Sequence, residues 1–290
     1  MANLKEIRTR ITSVESTMQI TSAMKMVSAA KLKRAQDAIV QMRPYAKKFN
    51  DILVNVSSSL DNSDHPMMSN NGGKRILLIA FSSNRGLCGG FNNNIIKEVK
   101  KTVANHPDYN YCVLTVGKKV NDAFKKSDLL NKIDSLPVDS QKIWDDLSYE
   151  NSLEITSKII NAFKKNHFDK AYLVYNSFKN AAVQTVENEA FLPVVAPESE
   201  NTTNIDYIFE PDKEEILNDL IPQSLKIQLY KALLDSFASE HGARMTAMHK
   251  ATDNANEMKN DLKLFYNKAR QAAITNEILE IVAGAEALGG

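Results

Sequence analysis

Three features of the 290-residue sequence predict an α/β fold, a long antiparallel coiled coil of the N- and C-terminal helices plus a Rossmann-like α/β middle domain. Apolar residues recur at alternating steps of three and four over both chain ends. The middle alternates short β-branched runs with helical stretches. A glycine-rich turn, SSNRGLCGGFN at residues 82–92, joins the first of those runs to a helix. The expected segments are an N-terminal coiled-coil helix over 1–60, a linker over 61–73, the α/β middle over 74–210 and a C-terminal coiled-coil helix over 211–290.

The first sixty residues hold one proline, Pro44, and no glycine. Leu4, Ile7, Ile11, Val14 and Met18 form one apolar seam. Leu32, Ala35, Ile39, Met42, Ala46, Phe49, Leu53, Val56 and Leu60 form a second one in phase with the first, as a coiled-coil repeat requires. The slots between them are Thr21, Lys25 and Ser28, so the seam turns polar in mid-helix. Pro44 removes one backbone hydrogen bond and is expected to bend the helix modestly.

From Tyr230 the same stepping gives Leu234, Phe237, His241, Arg244, Met248, Ala251, Ala255, Met258, Leu262, Phe265, Ala269 and Ala272. His241 and Arg244 are its polar slots. Beyond Ala272 the register slips onto Ile274, Ile278, Ile281, Ala285 and Leu288, as expected where a helix exchanges one partner for another. An antiparallel pair buries both seams most simply. At about 1.5 Å per residue, residues 2–60 would span roughly 90 Å and residues 212–288 roughly 115 Å. The C-terminal helix should then overhang by about 25 Å and end in an unpaired apolar tip.

In the middle, RILLIAFSS and YCVLTVG read as buried parallel strands with the helix FNNNIIKEVKKTV between them. KVNDAFKKS and NSLEITSKIINAFKKN supply further helices. KAYLVYN, a turn near SFKN, and AAVQTVENEAFLP read as a hairpin. DNSDHPMMSNNGG and VAPESENTTN read as linkers or mobile loops.

Whole-chain charge is nearly balanced at +1, but residues 1–50 carry ten Lys and Arg against three acids. Such a helix suits nucleic acid, an anionic membrane, an acidic protein surface or plain solvent. It lacks interleaved aromatics and a helix-turn-helix pattern, so no nucleic acid is expected. Two cysteines, Cys88 and Cys112, make no disulfide framework and point to a reducing compartment. The longest strongly apolar run, Ile76–Phe81, is far short of the roughly 20 residues that cross a bilayer. MANLKEIRTRI has no apolar core, so no secretory signal is expected.

The turn at 82–92 offers Arg85, Gly86, Cys88, Gly89 and Gly90 as candidates. Gly86, Gly89 and Gly90 make G-x-x-G-G, which is neither the dinucleotide fingerprint nor a P-loop: no Lys-Ser/Thr follows, and the first acid, Glu98, comes too early for a ribose. Two readings stand, an anion site at the helix N-terminus and a tight strand-to-helix turn. Cys88 is either a low-pKa thiol beside that terminus or a small buried side chain. The five histidines have no metal spacing, no Ser-His-Asp elbow accompanies them, and neither cofactor nor metal is expected.

Several stretches together resemble the γ subunit of bacterial F-type ATP synthase. They are LKEIRTRITSVESTMQITSAMKMVSAAKLKRAQ at the N-terminus, SSNRGLCGGFN, and SEHGARMTAMHKATDNANEM with LFYNKARQAAITNEILEIVAGAEAL at the C-terminus. Residues 100–210 resemble that family in order and length only. Asn84 stands where the family usually has Asp, and Gly242 where it usually has Ala; a mid-helix glycine costs about 1 kcal/mol. No redox insert with paired cysteines is present, so the resemblance is to bacterial members.

The resemblance implies a rotor shaft that is not itself an enzyme. It would stand in a hexamer of α and β subunits, be joined to the ε subunit and the membrane c-ring, and work at the cytoplasmic face of the bacterial inner membrane as a peripheral component. Ion-driven rotation of the ring would turn the shaft and cycle the catalytic sites. Lys25, Lys31, Lys33 and Arg34 would meet acidic loops of the catalytic subunits, and Arg270 and Gln271 match family positions that contact such a loop. Ile274, Ile278, Ile281, Val282, Ala285 and Leu288 would form the apolar tip bearing. A coiled-coil scaffold outside any rotary ATPase and an α/β enzyme using the Gly86–Gly90 loop are the competing readings.

Overall fold

A computed structural model describes residues 4–57, 67–68, 72–137, 140–194 and 213–288. Helix α1 (Leu4–Ser57) and helix α5 (Lys213–Leu288) are the long terminal elements. Pro44 and Pro222 lie inside them, and neither ends its helix. The chain divides into two compact units, Ala29–Arg244 and Met1–Ser28 with Met245–Gly290.

The larger unit is built on a four-stranded sheet in the order β2-β1-β3-β4. β1 (Arg75–Phe81) runs parallel to β2 (Asn110–Val116) and to β3 (Lys170–Phe178); β4 (Gln184–Leu192) returns antiparallel to β3. Every residue of β1 after Arg75 is buried, as expected of a parallel strand covered on both faces. Because side chains alternate across a strand, Ile76, Leu78 and Ala80 face α2 (Phe91–Asn105) and α3 (Lys118–Phe124), packing with Ile95, Val99, Val120 and Phe124. Leu77, Ile79 and Phe81 face α4 (Tyr149–Lys164) and the first part of α5, among Ile159, Phe163, Ile221, Leu225 and Leu229. The hairpin closes at Asn180, whose side-chain Oδ1 accepts from the Ala182 and Val183 amides at 2.9 and 2.8 Å.

The α/β middle and both terminal helices expected from the sequence are present. Met67, placed by the sequence reading in a linker, is instead buried in the core, and its carbonyl accepts from the Val194 amide at 2.8 Å. Residues 61–66 and 69–71 and the expected loop at 195–204 lie outside the described residues, as do the side chains of Leu53, Val56 and Leu288 and the whole of Leu60.

In the same unit the seam of α1 is as the sequence predicts. Leu32, Ala35, Ile39 and Phe49 are buried, and Met42 and Ala46 are half-buried. Over 232–244, α5 is buried on nearly all sides, a pattern that requires several partners rather than one seam.

The smaller unit pairs the start of α1 with the end of α5. As numbers fall from Lys25 to Arg8 along α1, their partners rise from His249 to Tyr266 along α5, so the helices run antiparallel. From Leu4 to Ile20 every residue of α1 is exposed except Leu4, Ile7, Ile11, Val14 and Met18, the predicted seam; Thr21 and Ser28 continue it as buried residues. On α5 the register differs from expectation. Met248, Ala255, Leu262 and Ala269 turn inward, but the alternate positions are Thr252, Lys259 and Tyr266, while Met258 and Phe265 are more than half exposed. The reason is polar. Thr252 bonds Thr21 at 2.8 Å, Lys259 approaches Glu15 at 3.9 Å, and the Tyr266 hydroxyl accepts from Arg8 at 2.7 Å.

Candidate functional site

The turn at 82–92 starts where β1 ends, at the carboxyl ends of the three parallel strands, where such folds bind ligands. Here that crevice is filled by the chain itself. The first three amides of α3 are taken: Lys118 N–H donates to Asn84 Oδ1 at 3.1 Å, Lys119 N–H to the Ser83 carbonyl at 3.2 Å, and Val120 N–H to Ser82 Oγ at 3.0 Å. These α3 donors thus serve residues 82–84. At the start of α2, the helix that follows the turn, the Phe91 amide donates to the Cys88 carbonyl at 3.3 Å, so the turn itself also takes a donor an anion there would use. A tight turn is therefore what the geometry supports.

Two backbone positions make this packing possible. Gly117 has φ +116°, and a Cβ there would come within 2.0 Å of the Ser82 carbonyl oxygen. Gly89 has φ +59°, a conformation L side chains avoid. Gly86 and Gly90 do not have positive φ; Leu87 does, at +64°, and its side chain is 66% exposed. Leu87, which the motif pattern passes over, is thus the outward point of the turn.

Inside the turn, Ser83 donates its amide to Asn92 Oδ1 at 3.0 Å and its hydroxyl to the Arg85 carbonyl at 2.6 Å, while Asn92 Nδ2 donates to Cys88 Sγ at 3.1 Å. Cys88 is 1% exposed, and burial pushes its thiol pKa up. It is the small buried side chain, not an activated thiolate. Asn84 uses both ends of its amide, accepting from Lys118 and donating to the Gln141 carbonyl at 3.0 Å. An aspartate could not make the second bond.

The turn is tied to α5. Arg244 Nη1 donates to the Gly86 carbonyl and Nη2 to the Arg85 carbonyl at 3.4 Å, while Nη2 also meets Glu240 Oε1 at 2.6 Å. Burial raises the Glu240 pKa, and the Arg244 bond opposes that rise. Beside them His241 lies edge-on to Phe237 at 4.4 Å, and Phe237 stacks on Trp144 at 6.2 Å. Burial, with Lys31 and Arg244 adding to it, drives the His241 pKa down to about 3, so this imidazole is neutral near pH 7. The sequence reading named Arg244 and His241 only as polar slots and missed Glu240; an i, i+4 acid–base pair inside an otherwise apolar stripe was the available signal.

The other candidates fall as follows. Lys31, Lys33 and Arg34 are exposed on α1 in the larger unit, and Lys33 pairs with Asp37 at 2.9 Å. Lys25 is half-buried in the smaller unit, 3.5 Å from His249 Nδ1. Arg270 and Gln271 are exposed on α5, and so are Ile274, Ile278, Ile281, Val282 and Ala285, with Ile281 at 66%. Met258, Leu264, Phe265 and Leu279 add to this uncovered apolar surface. Among the described residues no helix is long and apolar enough to cross a membrane.

Comparison with known proteins bears on what such a surface serves. A family model described as ATP synthase matches residues 3–288. The ATP synthase gamma chain of Christiangramia forsetii is 58% identical, with all of both chains covered. That of Geotalea daltonii is 42% identical over the same full span. Among solved structures, the central stalk and c-ring of the Tetrahymena thermophila mitochondrial ATP synthase gives a TM-score of 0.57 at 26% identity, covering 80% of this chain and 99% of that one. A chain of the Euglena gracilis mitochondrial ATP synthase gives 0.67 at 20% identity, covering 98% and 94%, a likeness of fold.

Proposed function

The chain belongs to the ATP synthase family, as a gamma chain, and on that premise we propose how its surfaces serve as a rotor shaft. It stands as the central stalk within a hexamer of α and β subunits, with the ε subunit and the membrane c-ring at its base. Rotation of the ring turns the shaft, and the turning shaft drives the catalytic sites through their cycle. The chain makes and breaks no bond itself; catalysis resides in the neighbouring subunits. It is peripheral to the membrane, at the cytoplasmic face of the bacterial plasma membrane.

The observation that carries this reading is the exposed apolar face of α5 from Ile274 to Val282, on a helix that is enclosed over residues 232–244. Apolar contact is non-directional, so a collar around Ile274, Ile278, Ile281, Val282, Ala285 and Leu288 tolerates turning where fixed hydrogen bonds would resist it. Different conformations of the surrounding subunits favour different faces of the shaft, and a differential contact of that kind is what shifts an equilibrium between states. Lys25, Lys31, Lys33, Arg34, Arg270 and Gln271 supply angle-dependent polar contacts to the stator. The segments 1–60 and 211–290 serve as shaft helices and 74–210 as the foot domain, whose core Met67 of the 61–73 segment also joins.

The test is Arg270→Ala with Gln271→Ala in the reconstituted complex. Both side chains are exposed, so the chain should fold and assemble while ATP synthesis falls. Synthesis at the unsubstituted rate would remove these two residues from the contact.

A further inference from the structure

Three consecutive residues of α5 meet the foot domain, one at the β3–β4 turn and two at the 82–92 turn. At Gly242 an added Cβ would lie 3.2 Å from the Phe178 ring and 3.3 Å from Ala181 Cα, so the β3–β4 turn rests on bare helix. Ala243 packs with Cys88 and Phe91. Arg244 holds the carbonyls of Gly86 and Arg85, and Glu240, one turn earlier, holds Arg244. Both side chains of that ion pair are about nine-tenths buried, at 9% and 10% exposed.

Burying an ion pair is costly unless its geometry is needed. Here the guanidinium is directed at the backbone of the one segment that joins β1 to α2 through two residues of positive φ, Leu87 and Gly89. Those two residues break the regular path of the backbone, and the bonds inside the turn, from Ser83 to Asn92 and Arg85 and from Asn92 and Phe91 to Cys88, do not reach α5. An arginine is suited to restraining it: a planar fork spans two carbonyls and a carboxylate together, which a lysine's point charge cannot.

We propose that Arg244, oriented by Glu240, is a positioning residue for coupling: it latches the 82–92 turn to α5 so that turn and helix move as one body. The proposal rests on the rotor-shaft reading above. The latch keeps Leu87 outward and Cys88 inward at every angle of the shaft. A slack turn would move independently of the helix that carries the load, and part of each rotation would be lost.

Cys88 reports on the latch directly. In the full chain carrying Cys112→Ser, so that Cys88 is the remaining thiol, its reaction rate with a maleimide is measured for the parent, Arg244→Gln, Arg244→Lys and Glu240→Gln, with far-UV circular dichroism confirming the fold. The same variants, assembled into the complete complex, are assayed for ATP synthesis and ATP hydrolysis. The latch predicts a slow parent reaction and one accelerated about tenfold or more by local opening in Arg244→Gln, with Arg244→Lys and Glu240→Gln between. It also predicts a several-fold drop in the synthesis-to-hydrolysis ratio in the same order. Should Arg244→Gln fail to fold, the two milder variants carry the test. Cys88 as protected in the folded variants as in the parent overturns the latch. An opened turn with an unchanged ratio overturns its role in coupling and leaves the rotor reading intact. Failure of the rotor reading would show instead as an assembled parent complex without synthesis.

Discussion

Two stretches of one helix, α5, are built on opposite plans. Between Ala232 and Arg244 it is enclosed: Ala232, Leu233, Ser236, Ala238 and Ser239 have no exposed surface, and even Glu240, His241 and Arg244 are buried. Between Ile274 and Ala287 every described side chain is exposed, though many are apolar. The first stretch is held by directional contacts, a guanidinium on two carbonyls and a chain of three rings. The second offers only non-directional surface. A helix that must be gripped at one end and turn at the other needs both.

The most severe way to break the comparison is at the gripped end. Arg244→Ala leaves Glu240 buried and unpaired and should cost about 3–5 kcal/mol, read as a lowered midpoint in denaturant. A pH series sharpens it. Because the folded His241 pKa lies at about 3, the folded state resists protonation while the unfolded chain accepts it. Stability is therefore present above the unfolded value near 6.5 and is lost as pH falls below it, by about 1.4 kcal/mol per unit. The raised pKa values of Glu240 and Asp235 act in the opposite sense, so the measurement is the stability difference between parent and His241→Asn from pH 7 to 5, which should shrink.

Gly89→Ala should cost about 1–2 kcal/mol, since a side chain is forced into the left-handed region with no clash to relieve. At the turning end, Ile278→Ala with Ile281→Ala should change chain stability by no more than about 0.5 kcal/mol. ATP synthesis of the assembled complex should nevertheless fall. Equal stability costs at both ends would erase the distinction.

What the sequence revealed follows the same division. The α1 stripe was legible residue by residue because one face meets one partner at a constant period. On α5 the inward line Met248, Ala255, Leu262 and Ala269 was legible too. Its companion line was not, because Thr252, Lys259 and Tyr266 are chosen by hydrogen bonds and an ion pair across the helices, and apolarity alone ranks Met258 and Phe265 above them. The glycine turn was recognisable as a strand-to-helix turn, and its missing phosphate residues were visible. That Asn84, Ser83 and Ser82 occupy the α3 amides required the β2–α3 junction at Gly117 to be brought beside it, a contact more than thirty residues away in sequence. Membership of the ATP synthase family leaves the scaffold reading without support.

The claim that one end is gripped while the other turns is tested most directly by watching the foot domain. With the hexamer fixed to a surface and a bead attached through Val183→Cys, an exposed position in the β3–β4 turn, ATP is supplied and the bead followed. The account predicts stepwise rotation in one direction that requires ATP and persists when Ile278 and Ile281 are replaced by other apolar residues. A bead that stays still while ATP is hydrolysed, or drifts in both directions, would contradict it.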